Sequence, residues 1–145
     1  MNTFLSTQEL ETHFRNTYAK VEPYARRDEV YAPLDNYFAK GTPGGQPGSF
    51  CYADDDGYHF CSVERGIIHE EKTTQNLTEI TYWVLEAQIF EMAAQYERQH
   101  RINHQDVRRT IFSKELQYLN FLGREYGKIA ELEFNHILSA NPFHD

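Results

Sequence analysis

Apolar residues first settle into a helical rhythm, then an alternating one, then a helical one again. Leu10, Phe14, Thr17/Tyr18 and Val21 recur at helical spacing. In front of them, Ser6-Thr7-Gln8-Glu9 forms a capping-box pattern: a hydroxyl takes a backbone N–H and the Glu9 carboxylate reaches back. Pro23 ends this helix or forces a new start. Residues 24–37 hold room for one short helical piece before Pro33. Residues 41–48, rich in Gly and Pro, predict a loop. Alternation then predicts a strand over 49–53, a turn over 54–57 and a return strand over 58–63. Glu64-Arg65-Gly66 makes a second turn, and 67–74 is a third strand. Together these form an antiparallel meander. If the first turn closes with Asp54 opposite Tyr58, Cys51 faces Cys61. A disulfide is conceivable there, though two reduced, packed thiols suit a reducing compartment better.

The rest of the chain is predicted helical. Thr74 or Asn76 caps a helix running to about His100. Wound at 100° per residue, it shows two apolar sectors. One holds Ile80, Trp83, Ala87, Phe90 and Ala94; the other holds Tyr82, Leu85, Ile89, Met92 and Tyr96. Between them run strips carrying Glu79, Glu86 and Glu97 on one side and Thr81, Gln88 and Gln95 on the other. A helix of this kind is expected to be sandwiched between a sheet and other helices. Asp106 caps a further helix, and Ser113 marks a bend or a second cap. Leu116, Leu119, Gly123, Tyr126, Ala130, Phe134 and Ile137 make one stripe, with Gly123 and Ala130 suggesting close helix approach. The expected fold class is α+β: a three-stranded antiparallel meander packed against a bundle of helices, with a central two-faced helix and a long C-terminal amphipathic helix. One domain over 1–145 is expected, with an N-terminal helical part (1–40), the meander (49–74) and a helical part (76–140).

Composition supports a folded domain. The chain has 145 residues, 40% hydrophobic and 25% charged, the size and balance of one globular unit. Net charge is −8. That disfavours a nucleic-acid backbone or an anionic membrane as direct partner and favours a basic one. The first five residues carry no base, so no leader is expected. Residues 80–94, the longest apolar-rich stretch, contain Glu86, Gln88 and Glu91, which excludes a membrane span. Two cysteines make no disulfide framework, and a cytoplasmic location is expected.

Common catalytic signatures are absent from the sequence: no Gly-rich phosphate loop, no G-x-S-x-G and no C-x-x-C. His100 and His104 have i, i+4 spacing, which suits a metal on one helical face. Arg101 between them would repel a cation and no third ligand is evident, so neither metal nor cofactor is expected. Asp54, Asp55 and Asp56 at a hairpin tip are either a solvated turn or a lure for a cationic partner. Glu70 and Glu71 extend the acidity along the third strand. With Tyr58 beside the tip, these six are the candidate partner-binding residues. Arg65, Arg101, Arg108 and Arg109 lie near Glu64, Glu97 and Asp106. They are expected to form guanidinium–carboxylate pairs tying the meander to the helices, with Trp83 as an aromatic anchor. No nucleophile or base accompanies these arginines, so no enzyme is expected.

Several of these residues carry a family likeness. Glu64-Arg65-Gly66 follows the hairpin, and Tyr82-Trp83 opens the central helix. Met92-Ala93, Tyr96-Glu97 and His100-Arg101 come next, then Asp106, Arg108-Arg109 and Phe112. Pro142-Phe143-His144-Asp145 closes the chain. In order and spacing, over roughly residues 51–145, the sequence resembles the bacterial immunity protein 63 family of polymorphic toxin systems. The resemblance implies an antitoxin role: neutralising a cognate toxin by direct protein–protein contact in the producing cell. A monomer or homodimer is expected. It carries over no catalytic residues. Partner contacts are then expected outside the matched motifs, and a basic toxin such as a nuclease would suit the acidic surface. The competing expectation is a small ligand-binding protein or enzyme with a Tyr/Arg-lined pocket between sheet and helices.

Overall fold

A computed structural model of the protein describes residues 4–145. Its elements run α1 (Thr7–Ala19), α2 (Glu22–Arg27), β1 (Gly48–Asp54), β2 (Gly57–Glu64), β3 (Ile67–Thr74), α3 (Leu77–Gln99), α4 (Val107–Leu122) and α5 (Arg124–Ala140). A single 3-10 turn sits at Pro43–Gly45. The class is α+β, with one antiparallel sheet in the order β1-β2-β3. The chain divides into two compact units. The first comprises the described residues up to Thr17 with Leu34–Leu85; the second comprises Tyr18–Pro33 and Glu86–Asp145.

In the first unit, the capping box forms as the sequence predicts. Glu9 N–H donates to Ser6 Oγ at 3.1 Å, and Ser6 N–H donates to Glu9 Oε1 at 2.9 Å. Leu10 and Phe14 are fully buried on the face it launches. The first hairpin closes one residue earlier than the disulfide geometry required. Asp54 pairs with Gly57, which puts Cys51 opposite Phe60 and Phe50 opposite Cys61. Because strand side chains alternate, the two cysteines lie on opposite faces of the sheet. Both are free and buried. Burial pushes the Cys51 thiol up to about 12. Burial, and then the charge of Glu71, raises that of Cys61.

Both turns use special backbone. Gly57 has φ 129°, and a Cβ there would stand 2.7 Å from Thr74 O. Arg65 (φ 53°) and Gly66 (φ 74°) are both at positive φ, as a type I′ hairpin turn requires. A bulge interrupts the second ladder: Ser62 pairs with Glu70 but Val63 with Ile68, leaving His69 unpaired. Asn76 starts α3, accepting the Glu79 N–H at 2.9 Å. Along α3 one broad face is buried, including Ile80, Thr81, Val84, Leu85, Ile89, Met92, Ala93 and Glu97. Of the first sector expected from the sequence, Ile80 and Ala94 are buried and Trp83 half-buried, while Ala87 and Phe90 are exposed. Thr81, assigned to a polar strip, is fully buried because its hydroxyl donates to Leu77 O at 2.6 Å, which offsets the cost of desolvating it.

In the second unit, Pro23 sits in the first turn of α2, so it starts a helix rather than only ending one. Asp28 follows as a polar hub. Burial opposes its charge, but hydrogen bonds from Arg27, Lys114 (2.9 Å) and Tyr118 (2.8 Å) outweigh that and lower its pKa to about 2. The stripe read as one C-terminal helix is broken at Gly123, whose backbone is extended (φ 165°, ψ 146°). Ser113 lies inside α4 and neither bends nor caps it. Close approach of the two helices is carried by Ala130, fully buried, and by Gly127, where a Cβ would collide with Asn120 Oδ1.

The arginine-rich start of α4 grips the chain end. Asp106 caps the helix by accepting the Arg108 N–H at 3.0 Å. The Arg108 guanidinium donates to Asn141 O and Pro142 O, each at 2.8 Å, while Asp106 accepts the His144 N–H at 2.9 Å. Arg109 pairs with Asp145 at 2.8 Å and lies 4.1 Å from the Phe143 ring centre. One buried group works against this unit. Glu115 is 2% exposed, and burial followed by its hydrogen bond to Glu86 raises its pKa to about 9.

Two outcomes follow for stability. Arg108→Ala is expected to lower the melting temperature and to speed amide exchange at His144, with Arg108→Lys restoring little because an ammonium lacks the planar fork. Glu115 is neutral when folded at pH 7. Its contribution to stability is complete below its ordinary value of 4.5 and is lost as pH rises towards about 9. Glu115→Gln should therefore stabilise the protein by about 1–3 kcal/mol at pH 7 and flatten that decline. Denaturant midpoints recorded across pH check both the sign and the window.

Candidate functional site

The charge of the chain is not spread evenly. The first unit carries ten Asp and Glu against four Lys and Arg; the second carries twelve against ten. Six of the eight net negative charges thus belong to the unit built around the meander. The acidic tip has internal order. Asp54 Oδ1 lies 2.8 Å from His59 Nε2 and accepts the Asp56 N–H at 2.8 Å. The His59 hydrogen bond holds the Asp54 carboxyl below its ordinary range. His59 Nδ1 in turn lies 3.1 Å from Thr73 Oγ1, and Tyr52 stacks on the ring with centres 4.5 Å apart. Asp54 is therefore engaged in positioning the turn, and Asp55 and Asp56 are the exposed carboxylates it displays.

A shallow concavity of about 300 Å³ beside the tip is lined by Phe4, Leu5, Ser6, Glu9, Ala53, Asp54 and Asp55. It adds Glu9 to the acidic group. The sequence gave Glu9 only its capping role, and nothing local signals that α1 starts next to the hairpin. Tyr58 is corrected from the candidate surface. It is 3% exposed and its hydroxyl accepts the Leu5 N–H at 3.0 Å, so it packs under the N-terminal segment.

Glu70 and Glu71 separate by strand alternation. Glu70 lies 3.3 Å from Lys72, whose ammonium stands 5.4 Å from the Trp83 ring centre. Trp83 thus anchors β3, half-buried. Glu71 is exposed, sits opposite Cys61 and forms no ion pair among the described residues. Its partner Cys61 is four residues along β2 from Gly57, so Glu71 lies about 13 Å from the tip on the same ribbon.

The two edges of the sheet differ. Along β1, Ser49 O accepts the Tyr37 N–H and the Cys51 N–H donates to Tyr37 O, both at 2.9 Å. The Ala53 N–H donates to Thr7 Oγ1 at 3.0 Å, and the same hydroxyl donates to Ala53 O at 3.4 Å. Ser49, Cys51 and Ala53 therefore direct their backbone groups away from β2, and that edge is closed. Antiparallel alternation carries this phase across the sheet. Phe50 and Tyr52 bond to Cys61 and His59; Tyr58, Phe60 and Ser62 bond to Thr74, Lys72 and Glu70. Glu71 and Thr73 are left with N–H and C=O directed outward. No hydrogen bond from a described residue reaches these backbone groups, and every residue from Ile67 to Thr73 is exposed.

The remaining sequence-predicted residues sit elsewhere. Arg65 is exposed in its turn, and neither it nor Glu64 forms an ion pair among the described residues. Arg101 grips buried Glu97 at 2.7 Å and 3.0 Å within one stretch of chain, and that bond lowers the Glu97 pKa. Arg108 pairs with Asp106, whose pKa it lowers, while Arg109 takes Asp145. None of these pairs includes a meander residue; their partners are the chain end and a helix terminus. His100 and His104 share no helical face, because α3 ends at Gln99 and His104 has φ 64°. No helix of the described residues is long and apolar enough to cross a membrane.

Comparison with known proteins agrees with the likeness in the motifs. The family described as immunity protein 63 matches residues 54–136, from the acidic tip to the last turns of α5. No curated protein and no solved structure matches the chain. A match over more than half of the chain, covering the displayed hairpin and the helices that follow it, shows that this chain belongs to the immunity protein 63 family.

Proposed function

We propose that this protein binds and neutralises a cognate bacterial toxin by direct contact in the cytoplasm of the producing cell. The family match carries the reading. The location of the charge adds to it: the excess carboxylates gather in the unit that displays Asp55, Asp56 and Glu71. A localised negative field accelerates encounter with a basic partner and penalises acidic ones. Asp54 with His59 and Glu70 with Lys72 hold the display in shape rather than meeting the toxin directly. No covalent step is invoked, and burial keeps both thiols protonated at neutral pH.

The test is co-expression with the toxin domain encoded beside this chain's gene. The expected outcome is restored growth and co-elution of the two proteins. Reversing Asp56 and Glu71 to Lys should slow association at least about tenfold at low salt without lowering the melting temperature. Growth restored with no complex, or association unchanged by the reversals, contradicts the reading. So does loss of binding in Arg108→Ala while the fold and the charge-reversal variant's binding persist.

A further inference from the structure

We infer that the open edge of β3 takes up an extended, Lys- or Arg-bearing segment of the toxin as a fourth strand, by main-chain pairing at Glu71 and Thr73. This deepens the proposed function and rests on it for the identity of the partner. The first ground is the asymmetry of the sheet. Tyr37 and Thr7 satisfy the outward groups of β1 at 2.9 Å to 3.4 Å. The outward groups of β3 meet no described residue, over a strand of eight residues. A long exposed edge is a template for another chain, and the charges and bulge of β3 restrict which chain can pair with it without covering it.

The second ground is what surrounds the edge. Ile67 and Ile68 are 61% and 53% exposed, giving an incoming strand apolar surface at one end. At the other end stand Asp55 and Asp56. Between them Glu71 has no ion-pair partner among the described residues, whereas Glu70 pairs with Lys72. A strand docking here thus meets net negative charge on the Glu71 face, and like charges directly opposite are destabilising. Cationic side chains at alternate positions complement that face. The bulge at His69 confines main-chain pairing to the part of β3 from Glu70 to Thr74, next to the acidic tip; Ile67 and Ile68, beyond it, offer side-chain contact only.

The probe is an eight-residue peptide of alternating Lys and Val, followed by amide exchange on the labelled full chain. Exchange at Glu71 and Thr73 is expected to slow at least about tenfold. The Glu/Val counterpart and a Lys/Val peptide N-methylated at every residue, which has no donor on either edge, should leave it unchanged. Glu71→Pro removes an outward donor and the carboxylate but no inward ladder bond, so the melting temperature should hold while uptake is lost; Glu71→Gln, which keeps the donor, should retain part of the protection. Equal protection by the N-methylated peptide, or none by any peptide, overturns main-chain pairing. With the toxin domain as ligand, a tight complex that leaves Glu71 and Thr73 exchange unchanged overturns the inference and spares the proposed function. A toxin domain that does not bind, alongside a Lys/Val peptide that protects the edge, overturns the proposed function and supports the open edge.

Discussion

The two-residue turn between Asp54 and Gly57 sets the register of the sheet, and the remaining features of the meander depend on that choice. A strand repeats every two residues, so a slip of one would invert every side chain. In the observed register Phe50, Cys61 and Val63 share one apolar cluster with Tyr37 and Tyr52. Cys51 goes to the opposite face, His59 meets both Asp54 and Thr73, and Ala53 offers its backbone to Thr7. The same phase decides which groups of β3 bond inward and which are directed outward. Gly57 permits the register because its φ of 129° and its approach to Thr74 O leave no room for a side chain.

Charge and hydrogen bonding act together on the exposed strand. An unpaired edge is a hazard for aggregation, and charged side chains and bulges are the usual protection. β3 has both, in Glu70, Glu71, Lys72 and the bulge at His69. The protection is selective in sign, since Lys72 answers Glu70 and no described residue answers Glu71. The second unit uses its charges differently. There Asp28, Glu97 and Asp106 hold cations in short bonds that lower their pKa values. Its carboxylates and bases nearly balance, so little field remains to act at a distance.

Much of the fold was legible because its signals are local. The Ser6–Glu9 box, the Asn76 and Asp106 caps, the Arg65-Gly66 turn and the 67–74 strand depend on neighbours within a few residues. The register was not legible: Asp54-Asp55-Asp56-Gly57 allows closure on Gly57 or on Tyr58, and only the packing of Phe50 and Cys61 decides. The split of the last stripe at Gly123 was hidden because apolar spacing continues across it. Arg108 and Arg109 were expected to reach the meander, but their partners Asn141, Pro142 and Asp145 lie more than thirty residues away in sequence, and spacing carries no such information. For the candidate surface, acidity at 54–56 and 70–71 was visible in the sequence. Burial of Tyr58, recruitment of Glu9 and the open edge were not, since each depends on which element lies beside the hairpin.

The asymmetry between the two sheet edges is the central claim, and residue-resolved amide exchange of the free protein tests it directly. Within β3 the amides of Glu70 and Lys72 should be protected, and those of Glu71 and Thr73 should exchange nearly as an unfolded chain does. On β1, Cys51 and Ala53 should be protected although they face outward. Protection of Glu71 and Thr73 equal to that of Lys72 would mean the edge is already covered and would contradict the account.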